Sequence, residues 1–353
     1  MTALSVPARP EDDVSLRPVP WQRMGWVTWR QHRATLAWVI VFLGVLAVLL
    51  GLAGRQLYSA HAAALAACQS ASSPACPGAI IAFNGTNGFL ANGFMLQAIP
   101  PLIGAFAGAP LLARELETGT FRYAWTQGFG PWRWALAKLV PLAVLLATAA
   151  GVFSLLLNWY YQPYFALGNQ RLTLEETTPF FPGIFDLRGI GLAAWTLAAF
   201  SIGALAGMLI RRVVPAIVAT LVAYAALAFA AGGFLRQHYL TPLVTSNLNL
   251  PGSAWIISQW WTKGGKFAFS GWPPDRLLQQ YCPNGPSGPV GPFGKSKPVA
   301  IAECLTPHGY TQWTAYQPAS RFWAFQWIEG GWLLVLSAVL IAVTVWLVRR
   351  RAT

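Results

Sequence analysis

The sequence predicts an all-α polytopic membrane protein with about six transmembrane helices, and three observations carry that expectation. First, 55% of the 353 residues are hydrophobic and only 10% charged, with a mean hydropathy of +0.47. A soluble domain carries about 25% charged residues, so this composition belongs in lipid. Second, the apolar residues form long unbroken runs rather than alternating ten-residue strands, which selects helices over a closed barrel. Third, the basic residues sit mostly at the ends of those runs, as topology signals do. The formal charge of +13 is therefore read as membrane topology, and no nucleic-acid partner is expected.

The charge-free runs are justified in order. Ala34 to Gly54 lies between Arg33 and Arg55, and a second run near Phe89 to Ala113 stops at Arg114. The third extends from Leu139 to about Tyr161 after Lys138. Gly189 to Ile210 lies between Arg188 and Arg211, and Val213 to Leu235 between Arg212 and Arg236. The last, about Trp323 to Val348, ends at Arg349, Arg350 and Arg351. The first run is longer than the 7–15 apolar residues of a cleavable signal and follows a polar stretch, so it is expected to remain, despite the Ala60-His61-Ala62 triplet.

With the N-terminus inside, the inner segments hold 14 of the 24 Lys and Arg in less than half the extramembrane length. Both termini are therefore expected in the cytosol. The chain divides into a cytosolic segment 1–33, spans one to five over 34–235 with an inner loop 114–138, an extracellular segment 236–321, and the last span with its tail over 322–353. All four cysteines then fall outside, where disulfides persist. Cys68–Cys76 and Cys282–Cys304 are the local pairings, against the alternative of free thiols.

Gly104-Ala-Phe-Ala-Gly108 and Gly203-Ala-Leu-Ala-Gly207 both have small residues four apart, the spacing that lets helices approach closely. Small residues are also abundant throughout the chain. Pro100-Pro101 falls within the second run and predicts a kink or break there. Segment 236–321 is rich in Pro, Gly and Trp, with room for a small disulfide-pinned cap. Trp255, Trp260, Trp261 and Trp272 fit the membrane interface best, with a substrate path as the alternative.

No catalytic constellation is visible. His32, His61, His238 and His308 show no metal-ligand spacing. Gly294-Lys295-Ser296 resembles the end of a phosphate-binding loop, but the position that requires its first glycine is Pro289. Neither a cofactor nor a metal is expected on this chain.

Two segments fit the inner membrane surface. Pro20 can open a helix in which Trp21, Met24, Trp26 and Trp29 mix with Arg23, Arg30, His32 and Arg33, lying in the interface before the chain turns into the first span. The inner loop 114–138 is longer than two helices need. Phe121, Trp125, Phe129 and Trp132 recur near every fourth residue, an apolar stripe that Gly128 and Pro131 would break. Glu115 and Glu117 beside Arg114 and Arg122 are unusual for a mere topology signal and fit a docking surface for a cytosolic protein. Glu329 is the one acid expected inside an apolar run, about one turn from its outer end. Intramembrane acids are costly and functional by default; it is either an outer gate residue or a water-exposed residue at a helix start.

Leu112-Ala-Arg114-Glu115-Leu-Glu117-Thr-Gly119-Thr120, followed by Lys138, looks like the acidic-Gly-Thr stretch after the second span of a known family. Together with Thr28-Trp29-Arg30-Gln31-His32-Arg33 and the run from Gln317 through Arg321 and Gln326 to Glu329, it resembles the membrane subunit of ABC-2-type (type V) ABC transporters, in particular standalone bacterial permeases. The likeness in layout covers nearly the whole chain; the long outer segment departs from the smallest members. The resemblance implies a multi-pass exporter permease in the bacterial plasma membrane, paired with a second permease chain. Two ABC ATP-binding subunits would hold the ATP and Mg. Arg114, Glu115, Glu117, Gly119, Thr120, Phe121 and Trp125 would couple to them, helped by an interface helix bearing Trp21, Trp26, Trp29 and Arg30. A secondary transporter or channel, or a membrane scaffold or sensor without an ATPase, is the alternative. Ion-coupled transport predicts several charges within the spans, whereas Glu329 is the only one expected.

Overall fold

The computed structural model describes residues 21–69, 74–85, 93, 95–120, 130–166, 178–283 and 297–351. Among them, six helices are long and apolar enough to cross a membrane. Helix α1 (Trp21–Ala67) is followed by the short α2 (Cys76–Gly85). The second span, α3, covers Leu96–Thr118, and the third, α4, covers Pro131–Ala166. After a single turn, α5 (Pro182–Phe185), come α6 (Gly191–Ile210) and α7 (Val213–His238). The last span is α10 (Phe322–Arg351). Six crossings bring the start of α1 at Trp21 and the end of α10 at Arg351 to one side of the bundle, called the terminal end below.

The charge-free runs mark where the spans are, but several helices outrun them. α1 continues without a break for 47 residues, about 70 Å at 1.5 Å per residue. The expected turn between an interface helix and the first span is absent: Trp21 begins the same helix that crosses. Flanking polar residues do not end a helix unless something supplies a stop; residues 21–35 contain no Pro, and the lone Gly25 is tolerated inside the helix. At the inner loop, α3 runs on to Thr118 and α4 opens with Pro131 in its first turn, so the connection is only 119–130. Of the expected surface stripe, Phe121, Trp125 and Phe129 lie outside the described residues, and Trp132 is an exposed residue in the first turn of α4.

The second span begins at Leu96 rather than near Phe89. Pro100 and Pro101 therefore stand in its opening turns, where a missing N–H costs little. The irregularity follows them as a π-turn over Gly104–Gly108. It lies against α6, where the two small-residue motifs meet. A Cβ on Gly104 would stand 2.5 Å from the Ala199 carbonyl oxygen, and one on Gly108 would stand 2.6 Å from that of Phe200. On the facing helix, a Cβ on Gly203 would strike the Gly104 carbonyl oxygen, and one on Gly207 that of Ala109. Only glycine admits this backbone-on-backbone contact. The contact puts α3 and α6 at the centre of the bundle. They are 67% and 61% buried over their most apolar stretches, against 17% for both α1 and α7.

The segment between α7 and α10 folds as a small cap, whose antiparallel sheet adds β structure to an otherwise helical chain. The strands are β1 (Leu243–Thr245), β2 (Trp255–Lys263), β3 (Lys266–Ser270) and β4 (Tyr310–Gln317), in spatial order β1-β4-β2-β3. Helices α8 (Asp275–Tyr281) and α9 (Lys297–Leu305) pack on it, joined by Cys282–Cys304. Trp261 is buried in the cap core with Ile301, Leu305 and Tyr310, and its indole donates to the Gly271 carbonyl at 3.2 Å. Trp255 stacks on Phe180 where the cap meets the bundle, at 5.5 Å between rings. Trp261 is thus a core residue, and Trp255 is a half-buried contact between the cap and the bundle. Strand alternation explains what residue type could not, because β2 turns alternate side chains toward the cap interior. The second disulfide, Cys68–Cys76, closes the connection from α1 to α2 at the same end as the cap.

Candidate functional site

Among the described residues, one polar cluster at each end of the apolar bundle joins several helices. At the terminal end, α3 finishes in the sequence that reads acidic-Gly-Thr. Gly119 adopts a left-handed conformation (φ 73°), which stops the helix. The Thr118 hydroxyl, 2.9 Å from the Arg114 carbonyl and 3.1 Å from the Thr120 hydroxyl, closes the turn. Residues two apart on a helix point about 200° away from each other, so Glu115 and Glu117 reach different neighbours. Glu115 forms an ion pair with Lys138 of α4, whose ammonium is buried beside the Trp134 ring at 4.6 Å from its centroid. Glu117 accepts the Val213 backbone N–H at 3.1 Å, capping the start of α7. That cap satisfies a donor every helix N-terminus leaves open and places a negative charge at the positive end of the helix dipole.

The turn that Glu117 caps is short. Only Arg211 and Arg212 separate α6 from α7, and Arg211 is the one non-glycine at positive φ (59°) among the described residues. Three helices besides α3 therefore converge on the end of α3. Arg114 and Thr120 are exposed there. At the start of α1, Trp26 and Trp29 are also exposed, with the Arg30 guanidinium 5.3 Å from the Trp26 ring.

At the cap end, Glu329 of α10 is 2% exposed, so it is not a water-facing residue at a helix start. The charge that accompanies it is Arg236, the residue expected to mark the outer edge of the fifth run. The span instead continues past Leu235 through a π-turn at Ala231–Leu235, which carries Arg236 inside. Arg236 donates Nε to Glu329 Oε2 at 3.0 Å and Nη2 to Oε1 at 2.7 Å. Nη2 also reaches Asp186, just after α5. The Trp195 indole (3.0 Å) and the Tyr239 hydroxyl (3.2 Å) donate to the same carboxylate, and Trp332 donates to Tyr239 at 2.9 Å. Gln97, at the start of α3, donates to Asp186 at 3.2 Å and to the Pro182 carbonyl at 2.6 Å. The Arg236 guanidinium lies over the Phe185 ring at 4.2 Å.

One cation thus faces two carboxylates. Glu329 holds four donated hydrogen bonds, two of them from Arg236. Burial pushes the Asp186 carboxyl up to about 7; Arg236 beside it opposes the rise and Glu329 adds to it. A second staple lies nearby: the buried Gln326 donates to the Phe185 carbonyl at 2.8 Å and accepts the Gly191 N–H at 2.9 Å. Sequence reading found Glu329 but missed Arg236 and Asp186. The usable signal was Glu329 itself, because a carboxylate inside a span requires a cation at its depth, and Arg236 ends the run that precedes it.

These clusters join helices and hold no reacting group. Among the described residues, no three His, Cys, Asp or Glu stand together as a metal set. A bundle of six candidate spans with a folded cap and polar staples at both ends defines a multi-pass membrane protein. The model of the family described as ABC-2 membrane transporter related matches residues 37–236, more than half of the chain, from within α1 to near the end of α7. The chain belongs to that family and is the permease component of an ABC transporter, a membrane subunit that is not itself catalytic. No curated protein and no solved structure matches it.

Proposed function

We propose that this chain is the exporter permease of an ATP-driven pump, working as a pair of permease chains above two separate ATP-binding subunits in a bacterial plasma membrane. The terminal end faces the cytosol in this reading. Both disulfides lie at the opposite end, as an oxidising exterior requires, and the weight of Lys and Arg supports the same orientation.

The observation that carries the proposal is the wiring of the acidic-Gly-Thr stretch. Glu115 holds the start of α4, and Glu117 holds the turn from α6 into α7. A push delivered to Arg114, Glu115, Glu117, Gly119, Thr120, Phe121 and Trp125 by an ATPase below would reach three further spans at once. One of these, α6, forms the central contact with α3, and α4 packs against α6. The first turns of α1, with Trp21, Trp26, Trp29 and Arg30, offer a second contact to the same partner. ATP and Mg belong to the partner, whose closure tilts the spans. At the cap end, the Arg236–Glu329–Asp186 cluster ties α3, α7 and α10 together and acts as the outer gate held shut in this conformation.

The test is affinity purification of the tagged chain from native membranes in mild detergent. The reading expects a co-purifying nucleotide-binding subunit and vanadate-sensitive ATP hydrolysis in the eluate. A pure chain with no such companion in several detergents would replace it with a secondary transporter or a scaffold.

A further inference from the structure

A groove of about 540 Å³ opens between α4 and α10 at the terminal end. Trp132 and Leu136 form one wall, and Ile341, Val345, Trp346 and Arg349 the other. The α10 wall is a single helical face running from residue 338 to 349, so the groove extends about 16 Å along the helix. That is the depth of one leaflet, half of a hydrocarbon core of about 30 Å. Its lining is almost wholly apolar until the mouth, where Trp132 and Trp346 are exposed and Arg349 is the last residue. Trp132 lies in the first turn of α4 and Trp346 near the end of α10, and exposed tryptophans at span ends mark the headgroup boundary. Arg349 is exposed and makes no salt bridge among the described residues. Arg350 follows it, with its guanidinium 4.9 Å from the Trp346 ring centroid.

An apolar trough one leaflet deep, ending in an aromatic collar and a cation, is complementary to an amphiphile with an anionic head. We infer that this groove is a binding site for an anionic phospholipid of the leaflet at the terminal end, with an acyl chain along α10 and its phosphate at Arg349. A second copy of the chain is a poorer occupant, since a symmetric contact through this face would bring two Arg349 side chains together. The inference needs only the membrane-spanning fold and stands whether or not the ATPase partner is as proposed.

The test is native mass spectrometry of the full-length protein, delipidated in detergent and titrated with phosphatidylglycerol or phosphatidylcholine of identical chains. Phosphatidylglycerol is expected to bind in preference. Arg349→Gln should weaken it about fivefold, the effect of one basic side chain beside an anionic headgroup, and leave phosphatidylcholine unchanged. Ala342→Phe, which fills the trough, should reduce binding of both lipids. Equal binding of the two lipids by the unaltered protein would overturn the inference, as would Arg349→Gln leaving the preference intact. A change of oligomeric state in Ala342→Phe with lipid binding unaltered would assign the groove to a protein contact instead.

Discussion

Replacing Arg236 with Met removes the cation that two carboxylates share while keeping much of the side-chain volume. Breaking a buried ion pair on one side costs about 3–5 kcal/mol, because the remaining charge is left uncompensated. Glu329 keeps the Trp195 and Tyr239 donors in this variant, which places the expected loss at the lower end, about 3 kcal/mol. The sharper expectation concerns Glu329→Gln added to Arg236→Met. Once the cation is gone, neutralising Glu329 should restore stability, so the double variant is more stable than Arg236→Met alone. In the native background, the same Glu329→Gln change removes half of an intact pair and destabilises. The coupling between the two sites should be about 1–3 kcal/mol, as for residues in direct contact. Denaturant unfolding of the four proteins in one mild detergent, followed by tryptophan fluorescence, measures it. If the two changes add within about 0.5 kcal/mol, the side chains do not act as a pair, and the proposed latch is wrong.

Three further expectations follow from the same geometry. Gly104→Ala puts a methyl group 2.5 Å from the Ala199 carbonyl oxygen, where backbone cannot yield without parting α3 from α6. It should cost about 1–3 kcal/mol by the same unfolding assay. Gly44→Ala, with open space around it, should be neutral or stabilising by up to about 1 kcal/mol; equal effects would dismiss the central contact. Asp186 has a carboxyl raised from 3.8 to about 7, so folding takes up a proton between those values. Its contribution to stability is full below 3.8 and is lost as the pH rises through about 7. Asp186→Asn should flatten that part of the thermal-stability profile, and an unchanged profile would show that another group titrates. Glu117→Lys should leave membrane insertion intact but weaken ATPase docking or stimulation, while removing the α7 cap costs about 1 kcal/mol. Normal coupling in reconstituted vesicles would remove this stretch from the coupling element.

The spans were legible because lipid tolerates charge so poorly that each charge-free run had to be a crossing. Helix ends were less legible. Nothing in residues 21–35 announces a stop, so α1 runs straight through, and Pro131 begins a helix as readily as it breaks one. The small-residue motifs gave the right residues without naming partners; that Gly104 faces Gly203 is a matter of assembly across about a hundred residues. Arg236 was hidden for the same reason. On its own it reads as the boundary of a run, and only Glu329, 93 positions later, makes it an interior residue. A disulfide-pinned cap was legible from the cysteines, but its sheet was not, because its pairing skips the chain order. Trp261 and Trp255 could be sorted from Trp272 only once a sheet gave them faces. Glu115 and Glu117 were found as an acidic pair, but their separate partners depend on which helices flank α3.

The strand order of the cap has a mechanical consequence. β1 leaves the end of α7 and β4 leads into α10, and these two strands are hydrogen-bonded neighbours through Leu243–Tyr316, Val244–Ala315 and Thr245–Thr314. Gln317 donates to the Leu240 carbonyl and Arg321 to that of Thr241, both at 2.7 Å, which continues the seam down to the helices. The cap is thus a yoke across two spans, and parting them there would unzip a ladder. An opening at this face that swings α7, α10 and the cap as one body has to break the bonds that tie α10 to its neighbours, Trp195 to Glu329 from α6 and Gln326 to the Phe185 carbonyl and the Gly191 N–H.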